Sequence, residues 1–317
     1  MSERPVIALS GGVGGAKLVL GLAHVLPGDR LTVVTNTGDD FDHLGLRICP
    51  DTDTVLYTLS GLADPDKGWG RAGETWTFMR ALAALGGEDW FSLGDGDLAL
   101  HVLRTHRLSE GASLGEVTAE VADVLNIAPM ILPMSDQPVA THVNTPDGQL
   151  AFQHYFVRER CAPVVTGFEF KGVDAAKPNP ELVQQLETGP EAIIIAPSNP
   201  YISVDPILGL PGLWAMLRAC GAPIIAISPI VGGAAIKGPA AKMMAELGIE
   251  VSALGIARHY QGLIDGLIID EQDRGLASRF AEIGMRVRVA PTMMVDLQTR
   301  IELARQALDF ARDLRSG

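Results

Sequence analysis

The chain has 317 residues, 47% of them hydrophobic and 20% charged, which is typical of a globular protein with a sizeable core. Its net charge of −13 argues against a general nucleic-acid-binding protein, which needs a basic face. The three cysteines are scattered without metal-ligand spacing, and neither a signal segment nor a membrane-length apolar run is recognisable. We therefore expect a cytoplasmic protein that has neither nucleic acid nor a membrane as a partner.

The N-terminal segment combines a strand, a glycine-rich loop and a helix. The apolar run VIAL (6–9) predicts a buried strand, GGVGG (11–15) follows it, and a helical pattern begins at Leu18. This arrangement points backbone N–H groups and a helix N-terminus at an anion. Lys17 breaks the dinucleotide fingerprint, and its neighbours do not fit a Walker A loop. A phosphorylated ligand is predicted, with an ordinary tight turn as the alternative, and its candidate contacts are Gly12, Val13, Gly14, Gly15 and Lys17.

Further strand-like runs alternate with helical segments at both ends of the chain. They cover residues 31–35, 192–196, 223–227, 267–269 and 287–289. Near-continuous apolar strands separated by helices predict a parallel sheet that is covered on both faces. The helical spacing of apolar residues over 297–311 predicts a C-terminal helix that packs on the core or on a partner subunit.

The middle of the chain has a different pattern. Residues from about 60 to 130 are mainly helical, PDG (146–148) predicts a hairpin between strands at 139–143 and 150–156, and 164–173 alternates as another strand. We therefore predict an α/β fold with a Rossmann-like parallel sheet core and a smaller α+β inserted domain. Residues 1–60 and 190–317 are assigned to the core, and 61–189 to the insertion.

Acidic side chains follow the second predicted strand, in NTGDDFD (36–42) and PDTDT (50–54). Ligands of open α/β folds sit beyond the carboxyl ends of the strands, so we expect this cluster near the glycine loop. Mg²⁺ commonly binds through one or two carboxylates plus phosphate oxygens, which predicts a metal role for at least one aspartate. The candidates are Asp39, Asp40, Asp51 and Asp53. A solvated loop with Asx turns is the alternative, and Asp53 is also placed to be a plain helix N-cap.

Two later loops follow strands and are expected at the same sheet edge. PSNP (197–200) contains the candidates Ser198 and Asn199, and the loop after the next strand contains Gly232 and Lys237. Lys237 precedes Pro239, which suits the first turn of a helix, so its charge would face an anion there. Each loop alone could be a simple connection, but three at one edge favour a composite site.

Some patterns suggest chemistry that their context does not support. GASLG (111–115) matches the nucleophile elbow, but no buried strand precedes it and Ser113 forms a capping box with Glu116. The seven histidines show no metal pairing. Trp69 and Trp76 are suited either to stacking on an aromatic ligand or to packing.

Eight motifs in chain order resemble the 2-phospho-L-lactate transferase family of coenzyme F420 biosynthesis. They are SGGVGGAKL (10–18), NTGDDFDHLGL (36–46), PDTDTVLYTLSG (50–61), WGRAGETW (69–76), LGDGDLALH (93–101), ILPMSDQPV (131–139), APSNP (196–200) and SPIVGGAAIKGPAAKMM (228–244). The resemblance spans nearly the whole chain. It implies a homodimer and Mg²⁺-dependent transfer of a phosphorylated three-carbon acid. The donor is guanylyl-activated, the acceptor is 7,8-didemethyl-8-hydroxy-5-deazariboflavin, and GMP leaves.

The resemblance also assigns roles to residues. Asp39, Asp40 and Asp53 are the catalytic and metal candidates, and the position of Asp53 is associated with the acceptor hydroxyl. The implied substrate contacts are Gly12, Val13, Gly14, Gly15, Lys17, Asn36, Trp76, Asp95, Asp97, Ser198, Asn199, Gly232 and Lys237. The acid itself stays open among phospholactate, phosphoenolpyruvate and 3-phosphoglycerate, because small pocket differences would separate them.

Two departures from the family pattern stand out. Relatives commonly have Arg at the position of Gly96, so Arg104 or Arg71 is expected to supply any contact that this Arg makes to the deazaflavin. Relatives also tend to have Asp at the position of Gln137. Other functions that the loop allows are a non-enzymatic nucleotide-sugar-binding regulator, a nicotinamide oxidoreductase, which Lys17 disfavours, and a phosphate-binding scaffold without turnover.

Overall fold

The strands and helices of this chain alternate, and their bounds follow the predicted pattern closely. The computed structural model describes residues 4–65 and 68–316. The strands are β1 (Val6–Ser10), β2 (Leu31–Thr35), β3 (Phe41–His43), β4 (Leu46–Ile48), β5 (Met130–Pro133), β6 (Ala140–Thr145), β7 (Gly148–Ala151), β8 (Gly167–Lys171), β9 (Ala192–Ile195), β10 (Ile224–Ile227), β11 (Ile230–Val231), β12 (Ala234–Ala235), β13 (Gly266–Ile269) and β14 (Arg286–Val289). The helices are α1 (Gly12–Val25), α2 (Pro50–Ser60), α3 (Thr77–Ala84), α4 (Asp95–Ser109), α5 (Leu114–Val124), α6 (Pro180–Thr188), α7 (Asp205–Leu208), α8 (Leu213–Ala219), α9 (Ala240–Glu246), α10 (Ala253–His259), α11 (Ala277–Glu282) and α12 (Leu297–Ser316).

Within the described residues, seven strands form one parallel sheet in the order β5-β2-β1-β9-β10-β13-β14. The chain builds outward from β1 to β5 on one side and from β9 to β14 on the other. Strand order therefore reverses between β1 and β9, which is the topological switch point of a doubly wound sheet. This confirms the predicted α/β class with a Rossmann-like core.

The sheet is buried on both faces, as the apolar strand sequences predict. In β1, Ile7 and Leu9 belong to one hydrophobic cluster, and Val6 and Ala8 belong to the other, on the opposite face. Helix α12 packs against α1, and its Leu303, Ala304 and Leu308 are buried in the second cluster. The C-terminal helix therefore packs on the core.

The middle of the chain contributes helices and a small antiparallel sheet, in the order β7-β6-β8. The predicted hairpin at residues 146–148 is confirmed, but the second strand ends at Ala151, and His154–Arg158 continues as a π-helical turn. Strand β5 lies within residues 61–189 and nevertheless pairs with β2 in the main sheet. The range assigned to the insertion thus contains an edge strand of the core sheet.

The small sheet holds the loop that follows β2. The backbone N–H of Thr141 donates to the carbonyl of Gly38 at 2.7 Å, and Nε2 of Gln153 donates to the carbonyl of Asp39 at 3.1 Å. These contacts fix the backbone of the acidic loop from outside the core sheet. Among the described residues, no helix combines the length and apolar character needed to cross a membrane.

Candidate active site

Helix α1 begins directly at the end of β1, so most of the predicted glycine loop is helix. Gly11 is the N-cap, and Gly12, Val13, Gly14 and Gly15 form the first turn. The first four N–H groups of an α-helix have no partner within the helix, and here they lie at the switch point of the sheet. The N–H groups that are predicted to bind an anion therefore belong to a helix N-terminus rather than to an extended loop, and that of Gly12 already donates to Asp51.

The glycines of this turn allow two loops to approach closely. A Cβ on Gly14 would lie 2.3 Å from the carbonyl oxygen of Pro197, and a Cβ on Gly15 would lie 2.4 Å from Oγ of Ser10. A Cβ on Gly12 would meet nothing, but its φ of +65° favours glycine. Packing against the loop after β9 therefore explains part of the glycine-rich sequence.

We expect Gly14→Ala to destabilise the protein by about 1–3 kcal/mol, because its new methyl group would push the start of α1 away from Pro197. Urea denaturation measures the change. Gly275→Ala is the matched control, since a Cβ there meets no atom within 4 Å and the residue is exposed. Equal stability of the two variants would contradict the close-approach explanation.

The loops after β1 and β9 are joined through Ser198. Its hydroxyl accepts the N–H of Gly11 at 3.2 Å and donates to the carbonyl of Gly11 at 2.8 Å. Asn199 accepts the N–H of Tyr201 at 3.0 Å and begins a π-helical turn. The structure brings both predicted residues to the switch point, where their side chains hold the loop together.

Asp51 connects the acidic cluster to the start of α1. Its Oδ1 accepts the N–H of Gly12 at 2.6 Å, and its Oδ2 accepts Nδ2 of Asn36 at 3.0 Å. Asn36 also donates to the carbonyl of Ile202 and accepts the N–H of Gly38. Burial raises the pKa of Asp51 to about 6, although these hydrogen bonds oppose the rise. The buried Asn36 side chain thus positions Asp51.

Asp39 and Asp40 are buried carboxyl groups with free acceptor atoms. Within residues 4–65 and 68–316, neither oxygen of Asp40, nor Oδ1 of Asp39, accepts a hydrogen bond. Burial raises the pKa of Asp40 to about 7, against the effect of Arg47, whose Nη2 lies 3.9 Å from Oδ2. Burial also raises the pKa of Asp39 well above its usual range, and Asp51 adds to this shift. Buried carboxyl oxygens without donors match the hard-oxygen ligands of Mg²⁺.

Asp53 is held in a buried network rather than left open. Both of its oxygens accept the guanidinium of Arg104, with Nη1 at 3.2 Å from Oδ2. Among the described residues, Asp53, Asp97 and His101 offer possible metal-ligand atoms that all lie within 4.8 Å of one another. Since Arg104 already occupies both oxygens of Asp53, this grouping is an ion-pair network first.

Cations lie on another side of α1. Nζ of Lys17 donates to the carbonyl of Met294 at 3.2 Å. Burial lowers the pKa of Lys17, and Lys237 and Arg300 lower it further, which places three positive charges in one region. Lys237 reaches Gly68, with Nζ 2.7 Å from the position that a Cβ would take there. Lys17 and Lys237, which are predicted separately as substrate contacts, therefore lie close enough to affect each other's charge.

Asp95 and Trp76, which are predicted to contact a substrate, contact other parts of the chain. Asp95 accepts the N–H groups of Thr77 and Phe78 and so caps α3. Trp76 packs against the apolar cluster of Ile48, Met79 and Leu93, which favours the packing interpretation.

Gly232 and Ser113 also have hydrogen-bond partners within the chain. The N–H of Gly232 donates to the carboxylate of Asp273, so it is already satisfied. The hydroxyl of Ser113 accepts the N–H of Glu116, which confirms the predicted capping box.

The structure also locates the two departures from the family pattern. Arg104 is 1% exposed and paired with Asp53, so the expectation that it replaces an Arg at position 96 is wrong. Nη1 of Arg71 lies 3.2 Å from the position of a Cβ on Gly96, so Arg71 remains the candidate. Gln137 lines a cavity of about 520 Å³, together with Thr37 and Arg47.

The sequence patterns did not indicate His101 as a site residue, and they indicated Arg104 only as a replacement for an Arg at position 96 and not as the partner of Asp53. Asp97, His101 and Arg104 are spaced by four and three residues, so they share one face of α4, and Asp53 and Tyr57 share one face of α2 in the same way. A search for polar side chains at helical spacing would have found both faces.

The fold defines the class: a doubly wound α/β protein, with the predicted contacts of the loops after β1 and β9 at the switch point of the sheet. Residues 6–305 match the model of the family described as 2-phospho-L-lactate transferase CofD. The chain belongs to this family of phospho-acid transferases, as its motifs predict.

Relatives with the names of two transferases agree with this assignment, and a solved structure agrees with the fold. The chain is 39% identical to the phosphoenolpyruvate transferase of Streptomyces griseus, with 98% of this chain and 99% of the relative covered. It is also 39% identical to the 2-phospho-L-lactate transferase of Methanosarcina mazei, with 94% and 98% covered. A crystal structure of a UPF0052 family protein from Bacillus halodurans superposes with a TM-score of 0.56 at 18% identity, covering 97% of this chain and 91% of the other, which supports the fold.

Proposed function

We propose that this protein transfers a phosphorylated three-carbon acid from a guanylyl diphosphate donor to the ribityl hydroxyl of 7,8-didemethyl-8-hydroxy-5-deazariboflavin, releasing GMP, in coenzyme F420 biosynthesis. The observation that carries the proposal is that Asp51 links the two features: it accepts the N–H of Gly12 at the start of α1 and acts electrostatically on the buried carboxyl group of Asp39, next to Asp40. A helix N-terminus favours phosphate, and carboxylates favour a hard cation. A nucleotide diphosphate with its magnesium ion needs both.

The proposed metal ligands are Asp39 and Asp40, because Oδ1 of Asp39 and both oxygens of Asp40 are buried without hydrogen-bond donors in the described part of the chain. Asp51 lies beside them but is engaged by Gly12 and Asn36. Mg²⁺ held there would neutralise the donor diphosphate and make GMP a better leaving group. Asp53 stays a predicted ligand, although its pairing with Arg104 favours a different role.

In this proposal the protein chiefly aligns the two substrates. The acceptor hydroxyl oxygen attacks the phosphorus that bears the three-carbon acid, the bond from that phosphorus to the GMP oxygen breaks, and the hydroxyl proton is released. Asp53 would hold the hydroxyl in line, since its carboxylate is fixed by Arg104. The first turn of α1, with Lys17 and Lys237, would hold the donor phosphates.

The test is mass spectrometry of products from the purified protein, the deazaflavin, Mg²⁺ and each of the three guanylyl donors, with an EDTA control. We expect a deazaflavin phosphodiester whose mass identifies the acid and whose formation EDTA abolishes. All three donors are needed because relatives named for two different acids are equally similar, at 39% identity. Absence of product with intact donors and folded protein would reject the proposal, and binding of UDP-sugars would then support the nucleotide-sugar-binding alternative. Gel filtration with light scattering tests the expected homodimer separately.

A further inference from the structure

Two helices from distant parts of the chain face each other with ionisable side chains. Helix α2 presents Asp53 and Tyr57, and α4 presents Asp97, His101 and Arg104. Asp53 is 5% exposed, and His101 and Arg104 are each 1% exposed. Charged groups this deeply buried have to satisfy one another, so their mutual geometry is tightly constrained.

Arg104 fixes the plane of the Asp53 carboxylate. Its Nη1 and Nη2 each donate to a different oxygen of Asp53, and Nη1 also donates to the carbonyl of Arg47 at 3.3 Å. A bidentate guanidinium restricts both the position and the rotation of a carboxylate, which a lysine ammonium cannot do. The contact to Arg47 ties this pair to the hairpin of β3 and β4 that follows Asp40.

His101 contacts the guanidinium of Arg104. Its Nδ1 lies 3.4 Å from Nη1 of Arg104, and because a guanidinium can only donate, Nδ1 is the acceptor in this contact. Nε2 lies 3.3 Å from Oδ2 of Asp97, whose Oδ1 accepts the hydroxyl of Tyr57 at 2.6 Å. Hydrogen bonds therefore join Tyr57 to Asp97, and join His101 and Asp53 to Arg104. The contact between His101 and Asp97 connects these two parts at ion-pair distance without a hydrogen bond.

A buried ion pair contributes little net stability compared with apolar residues of the same volume, so stability alone does not account for this network. We infer that Arg104 is a positioning residue, which acts through Asp53 by orienting its carboxylate toward the acceptor hydroxyl. This inference rests on the proposed function, in which Asp53 holds that hydroxyl. Arg104 is 1% exposed, so its effect on the acceptor would pass through Asp53.

The test is a kinetic double-mutant cycle. We expect Arg104→Gln to lower kcat by about 10²-fold, the typical cost of a misplaced reacting group, with KM for both substrates unchanged. Asp53→Asn should have a similar effect, and Arg104→Gln should cause no further loss in the Asp53→Asn background. Arg104→Lys keeps the positive charge but cannot donate to both oxygens of Asp53 from a planar group, so it should also lower kcat. Arg107→Gln is the control, since Arg107 lies on the same helix and makes exposed ion pairs with Glu110 and Glu120.

Several outcomes would overturn the inference. These are an unchanged kcat in Arg104→Gln, a loss confined to KM, or independent losses that multiply in the double variant. If Arg104→Gln fails to fold, the kcat values of Arg104→Lys and of the double variant Asp53→Asn with Arg104→Gln, in which both charges are removed, decide whether Arg104 positions Asp53. A crystal structure of Arg104→Lys supplies a readout without turnover, because an Asp53 carboxylate in its original orientation would reject the positioning role. Wild-type protein that forms no phosphodiester would instead reject the proposed function, and the crystal structure would still decide what Arg104 does.

Discussion

Replacing Asp40 with Asn is expected to reduce turnover by about 10²- to 10³-fold, the range seen when one preorganised electrostatic contact is lost. Asp40 is 4% exposed, and its oxygens accept no hydrogen bond from the described residues, so in our proposal they are free to bind the cation. An amide carries no charge and offers only one oxygen. The variant should also lose Mg²⁺ affinity, which isothermal titration calorimetry measures without any assay of transfer.

The matched control for this experiment is Asp42→Asn. Asp42 lies two residues away on β3, its side chain is 73% exposed, and it shares Arg47 with Asp40. We expect this variant to keep both turnover and Mg²⁺ affinity. If Asp40→Asn retained both as well, the metal would have to bind elsewhere, and Asp39 would lose its proposed partner.

The metal-free protein is expected to lose stability as the pH rises from about 4 to about 7. Burial raises the pKa of Asp40 to about 7 and that of Asp51 to about 6, whereas the same groups in the unfolded chain titrate near 3.8. In this window the folded state binds more protons than the unfolded state, so the free energy of unfolding falls with increasing pH. The combined effect is expected to reach a few kcal/mol, and Mg²⁺ should offset it increasingly toward pH 7.

Thermal unfolding at pH 5, 6, 7 and 8, with EDTA or with Mg²⁺, measures this effect. Asp40→Asn should flatten the decline in Tm of the metal-free protein, because the variant removes a carboxyl group that is costly to ionise in the interior. Asp42→Asn should follow the wild type. Parallel curves for the wild type and Asp40→Asn would show that Asp40 is not the titrating group.

The core sheet could be predicted from the sequence because its strands are short apolar runs with turn residues on either side. Strand β2 was predicted with the bounds that the structure has, Leu31–Thr35. Strand β5 was missed because MILP (130–133) lies between helical segments, and only its pairing with β2 makes it a core strand. The end of β7 was misjudged because the apolar residues after Ala151 continue as a helical turn.

The candidate site could be predicted only as a set of residues near one edge. Ser198 and Asn36 lie at the switch point, as expected, but their polar atoms hold the loops in place. Trp76 and Asp95 stabilise the neighbouring helical segment. A sequence pattern specifies which residue types are available, whereas their hydrogen-bond partners depend on which elements pack together.

By itself, the sequence determined the doubly wound α/β core, the position of the acidic cluster after β2 and the membership of the transferase family. These follow from local periodicity and from motifs whose residues are close together in the chain. Only the tertiary structure decided which carboxyl groups of this cluster are hydrogen-bonded within the protein and which are not. The oxygens of Asp40 accept no hydrogen bond from the described residues and have Arg47 at 3.9 Å, whereas Asp53 accepts both donors of Arg104, 51 residues further along the chain. That difference arises from the packing of α4 against α2, because the environment of a buried charge is set by whichever distant groups the fold brings into contact with it.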